Sequence, residues 1–210
     1  MKNKKRPILI VIGNYKNGGI AKRAAMLAKG LGAIDRNVHI IVTKDKSEQS
    51  FFELNENVSV VSIRNVDTTT YSAKAAKRKI AFLIKLLKIA SCLIPKKSKI
   101  RRFFDFSASK IRNSVLLRDA LNMFNNPIII ALGLEYAINV FYATIGMKCD
   151  IIYGTKTYAE GELWKLDKDV AVIIMKSFSG IVSQTNYTSD CLKKLGGHNV
   201  QVIGNPLSLS

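Results

Sequence analysis

The residues best suited to chemistry lie near the start of the chain, where Ile8-Leu9-Ile10-Val11-Ile12-Gly13-Asn14-Tyr15-Lys16-Asn17-Gly18-Gly19-Ile20-Ala21-Lys22-Arg23 reads as strand, loop and helix. A short apolar run that stops at Gly and Asn has the pattern of a buried strand, and a helical pattern follows at once. Gly18 and Gly19 then fall at a helix N-terminus, where main-chain N–H groups lack an intrahelical partner and a ligand meets no Cβ. That chemistry suits a phosphate or diphosphate. Gly13 stands alone before the pair, so the dinucleotide spacing G-x-G-x-x-G is absent, and Ile20 follows Gly19 where a P-loop requires Lys and then Ser or Thr. Two readings of the pair stay open on loop chemistry: an anion cradle, or a tight turn from strand to helix.

The second candidate is a basic stretch in the middle of the chain. From Lys74 to Arg118 there are fourteen Lys and Arg residues against the single acid Asp105. At 100° per residue, Lys74, Lys77, Arg78, Lys85 and Lys88 form one stripe of a helix whose remaining surface carries Ile80, Phe82, Leu83, Ile84, Leu86, Leu87 and Ile89. Pro95 ends that helix, and Lys96 to Arg102 with Phe103 and Phe104 extends it as a basic-aromatic tail. An amphipathic element lying on an anionic membrane has this composition, with lysines among headgroups and Phe103, Phe104 and the aliphatics below. So does a helix docked on its own domain with a solvated lysine stripe.

The elements that must position these residues follow from composition and rhythm. The chain has 210 residues, 48% of them hydrophobic, which suffices for one packed domain. Its net charge of +18 directs it toward anionic partners. Cys92, Cys149 and Cys191 are odd in number and lack metal-ligand spacing, which argues against a disulfide framework and fits free thiols in a reducing compartment. The start, Met1-Lys2-Asn3-Lys4-Lys5-Arg6, is a basic tail without a signal-peptide cleavage site. Pro127 to Met147 approaches the length of a membrane span, but Ile128-Ile129-Ile130, Gly133 and Glu135 mark it as a buried strand followed by a helix.

Strands are expected at Ile8–Ile12, Val38–Thr43, Val58–Ile63, Ile128–Leu132, Asp150–Tyr153, Gly180–Ser183 and Asn199–Ile203. Helices are expected after the diglycine with a stop at Gly32, then over Ser107–Phe124, Leu134–Ile145, Val170–Ser177 and Thr188–Leu195. Strands alternating with helices predict an α/β domain with a doubly wound, mostly parallel sheet and ligands at the carboxyl ends of the strands. His39 lies on a strand with no acid, Cys or second His at useful spacing, so it reads as a packing residue.

Four segments in order resemble the N-terminal half of the family 4 glycosyltransferases of GT-B fold. Gly18-Gly19-Ile20-Ala21-Lys22 stands in the frame of that family's G-G-A-E-R. Ile151-Ile152-Tyr153-Gly154-Thr155-Lys156-Thr157-Tyr158 resembles its V-I-V-S-E-R-N-D strand, with Lys156 keeping the basic residue. Ser179-Gly180-Ile181-Val182-Ser183-Gln184-Thr185 resembles a strand that usually opens with Asp, here Ser179, and Val202-Ile203-Gly204-Asn205-Pro206 resembles the segment joining the two lobes.

The resemblance implies a Rossmann-like acceptor-side lobe over residues 1–204, with the basic insertion at 74–104, then the start of an interdomain linker at 205–210. The donor-binding half, with its paired glutamates, is then absent, and this chain alone is expected to be inactive. A sugar would pass from a nucleotide-diphosphate donor to a membrane-linked saccharide or lipid acceptor, with retention and without a cofactor or obligatory metal. Gly18, Gly19 and Lys22 would meet the donor diphosphate, and Lys156, Glu135 and Tyr15 the acceptor. Such an enzyme would work in the cytoplasm, against the inner face of the plasma membrane. The general base has no candidate, because Gly133-Leu134-Glu135 stands where some members place a histidine. Two further readings compete: a basic module that binds nucleic acid, and a half-enzyme needing a separate donor-binding chain.

Overall fold

The computed structural model describes residues 5–16, 18–44, 52–65, 114–155 and 168–204, with 82, 85, 86, 89, 98 and 101. Its elements are β1 (Ile8–Ile12), α1 (Gly19–Ala33), β2 (Val38–Val42), β3 (Val58–Ser62), β4 (Ile128–Leu132), α2 (Leu134–Ala143), β5 (Asp150–Gly154), α3 (Lys168–Ser177), β6 (Gly180–Ser183), α4 (Asn186–Lys194) and β7 (Val200–Val202). Residues 114–121 are also helical.

The seven strands form one all-parallel sheet in the order β3-β2-β1-β4-β5-β6-β7. Chain progression runs outward in one direction from β1 and in the other from β4, so the order reverses between these two strands. In open α/β sheets a ligand crevice forms at such a reversal, outside the carboxyl ends of the strands.

Strand alternation divides the core in two. Ile8, Ile10 and Ile12 face α1, whose buried residues Ala21, Ala24, Ala25 and Ala28 are small enough to bring the helix close to the sheet. Leu9 and Val11 face the opposite way, against Leu117, Ala120 and Leu121 and the buried sides of α2, α3 and α4. All three helices that follow β4, β5 and β6 therefore share one face. On the α1 face, among the described residues, a groove of about 350 Å³ runs along the outer strands, floored by Ile128, Ile152, Gly180 and Val182.

Gly32 does not stop α1. It is buried inside the helix, where an added Cβ would come within 2.8 Å of Asn57 Oδ1 and 3.1 Å of a Val58 methyl group. Close approach to the start of β3 explains the glycine, and Asp35, at φ 55°, makes the left-handed turn instead. The proposed strand and helix over 127–147 are β4 and α2, and among the described residues no helix is long and apolar enough to cross a membrane.

The amino ends of β1, β4 and β5 are tied together by Arg6, which pairs with Asp150 and donates to the carbonyls of Asn126 and Pro127. Ser179 donates to Asp150 Oδ1 at 3.0 Å and accepts from the Ile151 N–H at 3.3 Å. A carboxylate at position 179 would face that of Asp150. Arg6 and Ser179 hold Asp150 below the usual carboxylate range. This network lies at the opposite edge from the crevice.

His39 is a packing residue. Its ring centroid lies 4.5 Å from that of Phe124, and Nδ1 is 2.6 Å from Ser59 Oγ. Burial lowers its pKa, so the folded state resists protonation that the unfolded chain accepts near pH 6.5. The stabilising contribution is complete above the unfolded value and is lost as pH falls through the lower folded value. Chemical denaturation at successive pH values from 7 to 5 should therefore show falling stability. With only two histidines in the chain, His39→Gln should flatten most of that slope.

Candidate active site at the carboxyl edge of the sheet

Three adjacent strands end in glycine at the reversal point: Gly13 just after β1, Gly133 just after β4 and Gly154 closing β5. Gly133, at φ 111°, turns the chain from β4 into α2, and its N–H donates to the Gly154 carbonyl at 2.9 Å. Gly18, at φ 134° and ψ 161°, precedes the first residue of α1. Helices α1 and α2 therefore both present their N-termini at this edge, from opposite faces of the sheet. Each contributes partial positive charge there.

Gly18 and Gly19 are exposed, and a Cβ built on either meets nothing within 4 Å. The diglycine sits at the carboxyl edge, and among the described residues nothing packs over it. Gly18 also needs a backbone conformation that residues with a Cβ rarely adopt. Gly19 does not.

Of the other residues singled out by sequence, Lys22 is exposed on α1, one turn from the diglycine. Glu135, in the first turn of α2, is engaged by Lys44, whose Nζ lies 3.1 Å from both carboxylate oxygens. The hydrogen bond with Glu135 is the main reason that the Lys44 pKa is raised, against the opposing effect of burial. The Lys44 ammonium also lies 5.6 Å from the centre of the Tyr136 ring. Because Lys44 follows β2 and Glu135 follows β4, this pair spans the end of β1.

Tyr15 is a correction. It is 1% exposed and packs with Phe52, their ring centroids 6.4 Å apart, within the α1-side core. An apolar ring in a short loop above a strand gains more from covering the core than from facing water, so Tyr15 supports the loop from beneath and is closed to an acceptor. Lys156, Lys74, Lys77, Arg78, Lys88, Phe103 and Phe104 lie outside the described residues. Lys85 is helical and exposed, as are Phe82, Leu86 and Ile89.

Sequence reading missed Arg23, Lys44 and Tyr136. Side chains on a helix lean toward its N-terminus, so an arginine one turn beyond the diglycine can reach the sheet edge. Arg23 does so, donating from Nη1 to the Thr155 carbonyl at 2.6 Å, just past the end of β5. That lean was the available signal for Arg23. For Lys44 and Tyr136 the sequence carried none. Among the described residues no group of three His, Cys, Asp or Glu is placed to hold a metal ion.

An all-parallel seven-stranded sheet with its crevice at a β1/β4 reversal is a Rossmann-like lobe of the kind found in GT-B glycosyltransferases. Sucrose-phosphate synthase from Thermosynechococcus elongatus superimposes with a TM-score of 0.59 at 12% identity, over 95% of this chain and 48% of that one. HepE from Anabaena, solved in complex with UDP, superimposes with a TM-score of 0.50 at 13% identity, over 97% of this chain and 44% of its own. At these identities the likeness establishes the fold. The chain thus spans about half the length of the solved proteins it matches. No family model matches the sequence, and comparison with curated proteins gives no significant match.

Proposed function

We propose that this chain is the acceptor-side lobe of a glycosyltransferase of the family 4 type. It works with a donor-binding lobe to move a sugar from a nucleotide diphosphate to a membrane-linked saccharide or lipid, as in surface polysaccharide or glycolipid synthesis. The observation that carries this reading is the exposed diglycine at the N-terminus of α1, which no described residue covers, on the carboxyl edge beside the β1/β4 reversal. Charge develops on a departing diphosphate as the glycosidic bond breaks. Fixed N–H dipoles and cations aimed at that charge lower the barrier without needing a covalent nucleophile or a metal from this lobe. Lys22 adds positive charge near the same edge. The Lys44–Glu135 pair offers a carboxylate to orient an acceptor hydroxyl.

Support for a membrane acceptor comes from the basic segment. Phe82, Leu86 and Ile89 recur at the spacing of one helical face and are 64%, 46% and 51% exposed, with Lys85 beside them. An apolar stripe exposed next to lysine suits the boundary of an anionic bilayer. The enzyme would then act from the cytoplasmic leaflet.

The test is transfer of labelled sugar from a panel of nucleotide-diphosphate donors to a lipid extract, by this chain joined to its donor-binding half. Transfer from one donor should appear. Replacing Phe82, Leu86 and Ile89 with Ser should reduce it about tenfold on anionic vesicles while sparing a detergent-dispersed acceptor. Absence of transfer from every donor would end the transferase reading, and equal transfer by the triple variant on vesicles would end its membrane part.

A further inference from the structure

Arg23 is half-buried, and loss of hydration lowers its pKa, with no carboxylate among the described residues to oppose it. A guanidinium offers five N–H groups, and among the described residues this one meets a single acceptor, the neutral carbonyl of Thr155. Other cations in the fold are placed differently. Arg6 pairs with Asp150, Lys44 with Glu135, and Arg118 donates to the carbonyls of Ala143 and Ile145 at the C-terminus of α2, where the helix dipole favours a cation.

Arg23 lies instead at the edge where α1 and α2 present their positive ends. Glu135 is the acid in the first turn of α2, and Lys44 already engages it. A charge withdrawn from water is costly unless an opposite charge is brought to it. Among the described residues none brings such a charge to Arg23. A fork of N–H donors is suited to two oxygens of one phosphate group.

We propose that Arg23 is an anion-binding residue of the crevice, holding a phosphate group between α1 and the end of β5. The Thr155 carbonyl fixes one arm of the guanidinium and leaves the remaining donors for the ligand. Only the ligand's identity rests on the transferase reading: the phosphate belongs either to the diphosphate of the donor or to a phosphorylated acceptor.

The experiment is an NMR titration of the whole chain, observing the Arg23 guanidinium, the Gly18 and Gly19 amides and the Thr155 amide. It is run at physiological ionic strength, so that surface lysines are screened. UDP stands in for the donor and mannose 6-phosphate for a phosphorylated acceptor. The Arg23 signal should shift saturably with one of them. Arg23→Gln should weaken that binding at least tenfold, against less than twofold for Lys29→Gln, an exposed lysine farther along α1. A shift with UDP assigns the donor, and a shift with mannose 6-phosphate alone assigns the acceptor.

An unmoved Arg23 signal in the unaltered protein with both probes would overturn the proposal, whatever the variants do. Movement of Gly18 and Gly19 by UDP without Arg23 would overturn it while leaving the transferase reading intact. Binding by Arg23→Gln within twofold of the unaltered protein would also overturn it.

Discussion

Gly19→Asp should leave the fold as stable as before, or slightly more so, and weaken nucleoside diphosphate binding roughly thirty-fold. Position 19 opens α1, its backbone is unstrained, and a Cβ there meets nothing within 4 Å. A carboxylate near a helix N-terminus contributes about 0.3–1 kcal/mol of stability, and replacing a helical glycine adds to this by reducing the freedom of the unfolded chain. The same carboxylate faces the space assigned to the diphosphate. Two unit charges about 4 Å apart repel by about 4 kcal/mol at an effective dielectric near 20, and exposure at the rim roughly halves this. Stability and binding should therefore move in opposite directions, which distinguishes an anion cradle from a simple turn. Thermal unfolding and calorimetric titration with UDP measure the two effects. A Gly19→Asp variant that binds UDP as tightly as the unaltered chain would mean the diglycine only turns the strand into its helix.

The largest loss of stability is expected at Gly13. A Cβ there would lie 2.1 Å from the Tyr136 hydroxyl oxygen and 2.8 Å from its Cζ, far inside contact distance. Tyr136 is itself buried in the first turns of α2, so its ring cannot swing freely into water. Overpacking of this kind costs about 1–3 kcal/mol. For a chain of this length each kcal/mol lowers Tm by about 2–4 °C. Because Lys44 lies over the same ring and holds Glu135, Gly13→Ala should also disturb that pair. Adding Tyr136→Phe should recover only part of the loss, since removing the hydroxyl leaves the ring carbon too close. Urea denaturation of the two single variants and the double variant measures the coupling. Loss of less than about 0.5 kcal/mol in Gly13→Ala would show that the ring relocates at little cost.

The strands were legible because parallel strands buried on both faces must be short, apolar and β-branched, and here Gly, Pro and Asn bound them. Ile128-Ile129-Ile130 before Gly133 is such a case, and it distinguished β4 and α2 from a membrane span. Helix ends were less legible. Gly32 has the residue type of a stop, but its reason is a contact with Asn57, which local sequence does not announce. The diglycine was visible because its chemistry is local, in the backbone and its missing side chains. Lys44 and Glu135 are 91 residues apart and Arg23 and Thr155 are 132 apart, so only the folded sheet brings each pair together. Tyr15 was misplaced for the same reason: Phe52, which covers it, enters from the loop before β3.

Ser179 has a structural role at the amino edge of the sheet. Asp150 already supplies the carboxylate at the amino edge, and Ser179 supplies a hydroxyl that both donates and accepts there. This contact lies at the opposite end of the sheet from the crevice. It therefore bears on stability at that edge and leaves the diglycine geometry untouched.

The central claim is that the amides at the start of α1 receive a diphosphate. A crystal structure of this chain with a nucleoside diphosphate tests it most directly. Our account predicts phosphate oxygens within hydrogen-bonding distance of the Gly18 or Gly19 N–H, over the carboxyl ends of β1 and β4. A diphosphate bound elsewhere, with the diglycine facing only solvent, would contradict it.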